Sequence, residues 1–162
     1  RDSAGVEYDM LKEFYDNPKA NTFPFQIVAL ESQIAQIKST LLNSERDVDI
    51  VERSVESNRL FAMANATIGN MNRVEEAVYL RMFDRFESPV PTGILYVKTP
   101  VDVCYERIRI RGRPGEEAID KKYLQLIHDS HEQWLNNQPN VLEIDGLQDF
   151  STTMEKIRQF IR

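Results

Sequence analysis

Apolar residues recur every three or four positions along much of the chain, which is the spacing of an amphipathic helix. The stripe is clearest over residues 26–42, where it consists of Ile27, Leu30, Ile34, Ile37 and Leu41. The same spacing recurs in further segments separated by turn residues. The pattern predicts helices over residues 26–42, 54–68, 73–86, 100–111, 119–134 and 152–161.

Three short runs rich in β-branched and aromatic residues lie between these helices, at residues 47–51, 93–99 and 140–145. The middle run contains a continuous apolar stretch, residues 94–97, which is typical of a strand buried on both faces of a parallel sheet. Strands that alternate with helices predict an α/β fold with a parallel sheet flanked by helices. No linker or repeat interrupts the pattern, so we expect one domain over residues 1–162.

Composition narrows the class of protein. The chain has 162 residues, of which 41% are hydrophobic and 28% are charged, which is typical of a globular domain. No apolar run approaches the roughly 20 residues of a membrane-spanning helix. The net charge of −6 argues against a broad surface for nucleic acid or anionic membrane. The lone Cys104 fits a reducing compartment, either the cytoplasm or another intracellular one such as the mitochondrion.

Four arginines occupy alternate positions over residues 107–113, just before a break at Pro114 and Gly115. Like charges four apart on a helix repel, so this cluster favours a bound anion. Guanidinium groups suit phosphate, and a segment flanked by glycine and proline can fold over a ligand as a lid. The alternative is a solvated helix end whose arginines pair with Glu106, Glu116 and Glu117.

A second candidate site follows the first predicted strand, where Glu52, Arg53 and Ser54 are adjacent. Ligands of open α/β sheets bind beyond the carboxyl ends of the strands. A carboxylate there suits Mg²⁺, directly or through water, and an arginine suits a reacting oxygen or phosphate. The alternative is a strand-end ion pair with Ser54 as a helix N-cap.

These motifs stand in an order that is more specific than any one of them. Other members are the pairs Phe25-Gln26 and Glu116-Glu117, and the histidine-containing run over residues 128–135. In this order, over about residues 8–145, the chain resembles the deoxynucleoside kinase family, whose members act on deoxycytidine, deoxyadenosine, deoxyguanosine or thymidine. The resemblance implies a three-layer, P-loop kinase-like fold. It also treats His128 and His131 as structural rather than as metal ligands.

The resemblance implies a role for each matching residue. Gln26 would hydrogen-bond the base edge, and Phe25 and Phe61 would stack on or flank the base. The rest of the base pocket would be lined by Ala29, Gln33 and Asn58, a set more like the deoxycytidine and purine branch than the thymidine branch.

The sugar and phosphate roles follow from the same resemblance. Tyr15 and Glu117 would hold the sugar 3′-hydroxyl, and Arg53 would bind near the 5′-hydroxyl. Glu52 would help to place Mg²⁺. The transferred phosphoryl group would be held by Arg111 and Arg113.

The chain also departs from the family pattern. The family begins with a strand, a glycine-rich phosphate loop and a catalytic glutamate, and no such sequence occurs in this chain. We therefore expect an N-terminally incomplete kinase domain that by itself does not complete catalysis. The implied function is ATP-dependent phosphorylation of a deoxynucleoside 5′-hydroxyl, with Mg²⁺, in a homodimer that binds neither nucleic acid nor membrane. The alternatives are a non-catalytic nucleoside-binding relative and a kinase of nucleoside monophosphates.

Overall fold

A computed structural model describes residues 9–87 and 89–162 of the chain. The region that carries the family resemblance, about residues 8–145, begins at Tyr8, and Tyr8 lies outside the described residues. Within the described ranges the elements are α1 (Met10–Asp16), α2 (Pro18–Asn43), α3 (Val55–Thr67), α4 (Arg73–Phe83), β1 (Ile94–Lys98), α5 (Val101–Arg111), a 3₁₀ turn (Glu116–Ala118), α6 (Lys121–Leu135), β2 (Val141–Asp145) and α7 (Phe150–Phe160). None of the helices in these ranges is long and apolar enough to cross a membrane.

The two strands pair in parallel, with Ile94 opposite Val141 and Lys98 opposite Asp145. The connection between them carries α5 and α6, as parallel pairing requires a long crossover. The predicted α/β class with a parallel sheet and flanking helices is therefore confirmed.

The strand predicted over residues 47–51 is wrong. This segment forms no ladder, and Val48 and Ile50 are exposed. A strand is held by the hydrogen bonds of its neighbours, and the described part of the chain offers this segment no neighbouring strand. β-branched residues alone therefore did not make it a strand.

The main core lies between α2, α3 and α4. The predicted stripe on α2 is confirmed for Leu30, Ile34 and Ile37, which are buried, whereas Leu41 is exposed. The remaining buried members of this cluster come from the start and middle of α3 and from α4 with the turn before it, and they are Val55, Ala62, Met71 and Tyr79. This three-helix core is the rigid support for the residues discussed below.

Capping side chains decide several helix ends. Asn17 closes α1 and opens α2, where its side chain accepts from the backbone N–H of Ala20 and Pro18 takes the first helical position. This cap explains why α2 begins eight residues before the predicted start. The apolar periodicity did not predict the short α1. Pro100, predicted inside the first turn of a helix, instead lies just before α5.

Candidate functional site

Two amide side chains lie on the buried faces of α2 and α3, which pack against each other. Gln26 is 4% exposed and Asn58 is 5% exposed. Within the described residues, Asn58 Nδ2 is a buried donor with no hydrogen-bond partner. A buried amide without a partner costs about 1–3 kcal/mol, so a native structure retains such a group for a reason, of which binding a ligand is one. Ala29, one helical turn after Gln26, is half-buried.

Phe25 precedes Gln26, and Phe61 lies about one helical turn after Asn58; both rings contact other aromatic side chains. The ring of Phe25 stacks on Phe14 of α1, with centroids 4.8 Å apart, and Phe14 contacts Tyr15 at 5.0 Å. On α3, the edge of Phe61 meets the ring of His131 with centroids 5.8 Å apart. Both predicted base-flanking rings are thus held by neighbours, as a preorganised stacking surface requires.

Glu52 and Arg53 form an exposed turn that leads into α3. Arg53 has a φ of 64°, in the left-handed region. Its guanidinium carbon lies 4.8 Å from the centroid of the Phe61 ring. Ser54 caps α3, accepting from the N–H of Ser57 at 3.2 Å, so the alternative role proposed for this serine is confirmed.

Gln33, predicted to line the base pocket, contacts this turn. Its Nε2 atom donates to the carbonyl oxygen of Glu52 at 3.0 Å and to that of Arg53 at 3.4 Å. The side chain thus joins the middle of α2 to the turn before α3.

The segment predicted to act as a lid, residues 112–119 and called the lid below, follows α5, whose C-cap Gly112 is in a left-handed conformation. The Nε and Nη2 atoms of Arg111 donate to one carboxylate oxygen of Glu116 at 3.0 and 2.7 Å, and Arg113 Nη1 lies 3.6 Å from the other oxygen. Glu116 is only 5% exposed. Both predicted phosphoryl-binding arginines are therefore paired with Glu116, as the alternative interpretation of the arginine run expected, and their binding of an anion stays a prediction.

The lid rests on Tyr15 of α1. Gly115, with a φ of 90°, lies so close that an added Cβ would meet Tyr15 atoms at 2.7 Å. Burial raises the pKa of the Tyr15 hydroxyl, and the neighbouring Glu116 carboxylate raises it further. Glu117, which was predicted to share the sugar hydroxyl with Tyr15, is exposed and accepts from the N–H of Gly115 at 2.7 Å. Sequence reasoning did not distinguish the buried from the exposed glutamate of this adjacent pair.

Tyr123, at the start of α6, links the two sides of the site. Its hydroxyl accepts from Nδ2 of the buried Asn65 on α3 at 3.1 Å. Burial raises the pKa of Tyr123, and Tyr15 and Arg53 both act on it electrostatically. Tyr123 is thus hydrogen-bonded to α3 and lies within electrostatic range of both Tyr15 and Arg53.

His131 on α6 lies beneath this region. Its Nδ1 contacts the carbonyl oxygen of Ile127 at 2.8 Å, so Nδ1 carries the proton and Nε2 accepts from the Ser57 hydroxyl at 3.3 Å. Burial lowers the pKa of this imidazole, and nearby Arg53 lowers it further. Neutral His131 is thus a hydrogen-bonded packing partner of α3.

Among the predicted site residues, Glu52 alone was expected to bind a metal ion. Across residues 9–87 and 89–162, no three histidine, cysteine or acidic side chains group together as metal ligands. Magnesium commonly uses one or two carboxylates together with water and phosphate oxygens, so one exposed carboxylate fits only an ion held mainly by its substrate.

Comparison with known proteins gives consistent matches. The family model described as deoxynucleoside kinase matches residues 2–162. Deoxycytidine kinase 2 of Gallus gallus is 33% identical over 151 residues, covering 87% of this chain and 57% of that protein. The mitochondrial deoxyguanosine kinase of Xenopus laevis is 27% identical, covering 93% of this chain and 61% of that protein.

Among solved structures, deoxyadenosine kinase from M. mycoides with dCMP and dCDP bound matches with a TM-score of 0.82. The sequences are 19% identical, and the match covers 94% of this chain and 80% of that one. The likeness shows a shared fold. This chain spans about three fifths of the length of the two curated relatives named above.

Proposed function

We propose a function for this chain from the premise that it belongs to the deoxynucleoside kinase family: it forms the nucleoside-binding and lid portion of an enzyme that phosphorylates the 5′-hydroxyl of a deoxynucleoside. The observation that carries the proposal is the buried, unpartnered amide of Asn58 on the packed face of α3. A base edge, with donors and acceptors in one plane, would satisfy this group and Gln26 together.

The base would be recognised by a dry, polar pocket between aromatic rings. Phe25 and Phe61 are already fixed by stacked and edge contacts, so binding would order few additional side chains. The small side chain of Ala29 would leave room for the base on the same helix as Gln26. We propose deoxycytidine or a purine deoxynucleoside as the substrate, in line with the polar character of Asn58.

The sugar of the nucleoside would lie toward the lid, and its 5′-hydroxyl, which accepts the phosphoryl group, would lie toward the Glu52–Arg53 turn. Tyr15 and a lid glutamate would hold the 3′-hydroxyl. The family resemblance assigns this role to Glu117, and the alternative is the buried Glu116. Arg53 would contact the 5′-oxygen. Arg111 and Arg113 would exchange Glu116 for phosphate oxygens as charge develops on the transferred group.

ATP is the proposed phosphate donor, and Mg²⁺, when bound, would offset charge on the phosphate oxygens. Glu52, exposed at the turn, is the residue of this chain that would hold the ion, through water or directly. The chain's own contribution to rate would be positioning and electrostatic stabilisation, which dominate phosphoryl transfer.

The direct experiment is a coupled kinase assay on the full-length protein with each natural deoxynucleoside. Phosphorylation of at least one, abolished in Arg53→Ala, is the expected result. No turnover with any of them, despite nucleoside binding in calorimetry, would favour the non-catalytic alternative. Tighter binding of a monophosphate than of its nucleoside would favour the monophosphate kinase.

We also propose a homodimer. Several aliphatic side chains on the outer faces of α2 and α4 are exposed, namely Val28, Leu41, Val74 and Val78. Light scattering should give twice the monomer mass, and a monomeric mass would refute the proposal. Binding to nucleic acid or membrane is not part of the proposed function, and its proposed compartment is the cytoplasm or the mitochondrion.

A further inference from the structure

The Glu52–Arg53 turn holds a backbone conformation that its sequence disfavours. Arg53 has a φ of 64°, and residues that carry a Cβ atom rarely adopt this region. Such a conformation persists where surrounding contacts over-determine it, and it is common at functional sites. The contacts that fix this turn therefore matter to whatever Glu52 and Arg53 do.

The turn is anchored at both ends by ordinary contacts. Before it, Val51 packs on the three-helix core. After it, Ser54 caps α3 and Val55 is 6% exposed in the same core. Neither anchor determines the conformation of the two residues between them.

Gln33 supplies the missing constraint. Its single Nε2 atom reaches two successive carbonyl oxygens, Glu52 O at 3.0 Å and Arg53 O at 3.4 Å. Successive carbonyls of an extended segment point to opposite sides, so one donor can reach both only where the chain turns. The amide nitrogen has two hydrogens, one for each acceptor. The hydrogen bonds thus select the conformation in which Arg53 lies over Phe61.

We infer that Gln33 is a positioning residue for the reacting end of the site, rather than a determinant of base choice. The inference rests on the proposed function, because it assigns Glu52 and Arg53 to the 5′-hydroxyl end. Gln33 holds the strained turn so that the carboxylate and the guanidinium are presented together. Losing it should lower the catalytic rate for every deoxynucleoside by a similar factor.

The test compares Gln33→Met with Gln36→Met in the full-length protein. Methionine keeps the length of the side chain and removes the donor, and Gln36 is an exposed residue one turn further along α2. We expect Gln33→Met to lower kcat roughly 10- to 100-fold with little change in KM, and to leave the order of preference among deoxynucleosides unchanged. Gln36→Met should match the wild type. An altered preference among bases with unchanged kcat for the best substrate would overturn the inference.

A second measurement does not depend on activity. Trypsin cleaves after arginine, and cleavage after Arg53 requires the turn to open, whereas Arg46 lies in the preceding loop. In native-state proteolysis, Gln33→Met should speed cleavage after Arg53 several-fold relative to cleavage after Arg46, and Gln36→Met should not. Equal relative rates in all three proteins would overturn the inference. Faster cleavage after Arg53 in a protein that phosphorylates no deoxynucleoside would refute the proposed function and leave the contact intact.

Discussion

Replacing Gly115 by alanine tests whether the lid closes on Tyr15. Gly115 has a φ of 90°, and a Cβ added there would lie 2.7 Å from Tyr15 Cβ and Cδ2. The left-handed backbone costs a residue with a Cβ about 1–2 kcal/mol, and forcing a carbon into a filled contact costs about 1–3 kcal/mol. We therefore expect Gly115→Ala to disfavour the closed lid by about 2–5 kcal/mol in all.

Gly69→Ala is the matched control. Gly69 has a φ of 81°, but an added Cβ there would have nothing within 4 Å. This variant carries the backbone cost alone. We propose that the lid leaves Tyr15 without unfolding of the core, so the excess cost in Gly115→Ala should appear in ligand affinity rather than in global stability.

The assay is calorimetric titration of the full-length protein with its preferred deoxynucleoside. An excess of about 1–3 kcal/mol corresponds to a Kd raised about 5- to 150-fold in Gly115→Ala. The Kd of Gly69→Ala should equal that of the wild type. Equal affinities for the two variants would refute the contact between the lid and Tyr15 in the binding-competent state.

Three further predictions concern single side chains. Asn58→Leu should raise the free energy of unfolding by about 1 kcal/mol, because it removes a buried unpaired amide, and should abolish nucleoside binding in calorimetry; unchanged affinity would contradict the assignment. Glu116→Gln should lower the free energy of unfolding by about 1 kcal/mol, since its arginine partners are half-exposed, and should bind inorganic phosphate more tightly than Glu117→Gln; equal phosphate affinities would argue against release of the arginines. Burial lowers the pKa of His131 below 6.5 in the folded state. As the pH is lowered through 6.5, the unfolded state therefore binds more protons than the folded state, and the free energy of unfolding decreases. Urea titrations between about pH 7 and pH 5 should show this loss in the wild type and in His128→Gln but not in His131→Gln, and a loss retained in His131→Gln would assign it to another group.

The elements that sequence reasoning predicted well are those with a local signal. The stripe of Leu30, Ile34 and Ile37 identified the buried face of α2, and the continuous apolar stretch located β1. The expectation that β1 is buried on both faces was wrong, because Val97 is 57% exposed and the strand has one neighbour in the described residues. The failed strand over residues 47–51 depended on a neighbour, which no local pattern encodes. The short α1 has seven residues, fewer than the roughly 11 to 18 over which a helical period can be recognised, so it gave no usable periodic signal.

For the site as well, the features with a local sequence signal were predicted and those that depend on tertiary contacts were not. Residue types and their order suggested Gln26, Asn58 and Arg53, and the structure places both amides on buried faces. Tertiary contacts between segments far apart in sequence determine two further features. They decide which of two adjacent glutamates faces Tyr15, and whether Gln33 contacts a base or a backbone turn. A buried glutamate after an arginine-rich helix end could have been suspected, since its charge needs a partner, but only coordinates distinguish Glu116 from Glu117.

The hydrogen bond between Asn65 and Tyr123 limits how much of the chain would move with the lid. Asn65 is 1% exposed and its amide also donates to the carbonyl oxygen of Phe61, so the start of α6 is tied to the interior of α3. Opening the lid by swinging α6 outward would break that tie. In the proposed function, the segment that would move is therefore bounded by the left-handed Gly112 at one end and by the N-cap Asp120 at the other. Substrate entry would then require movement of this segment alone, and α3 and α6 would keep their positions.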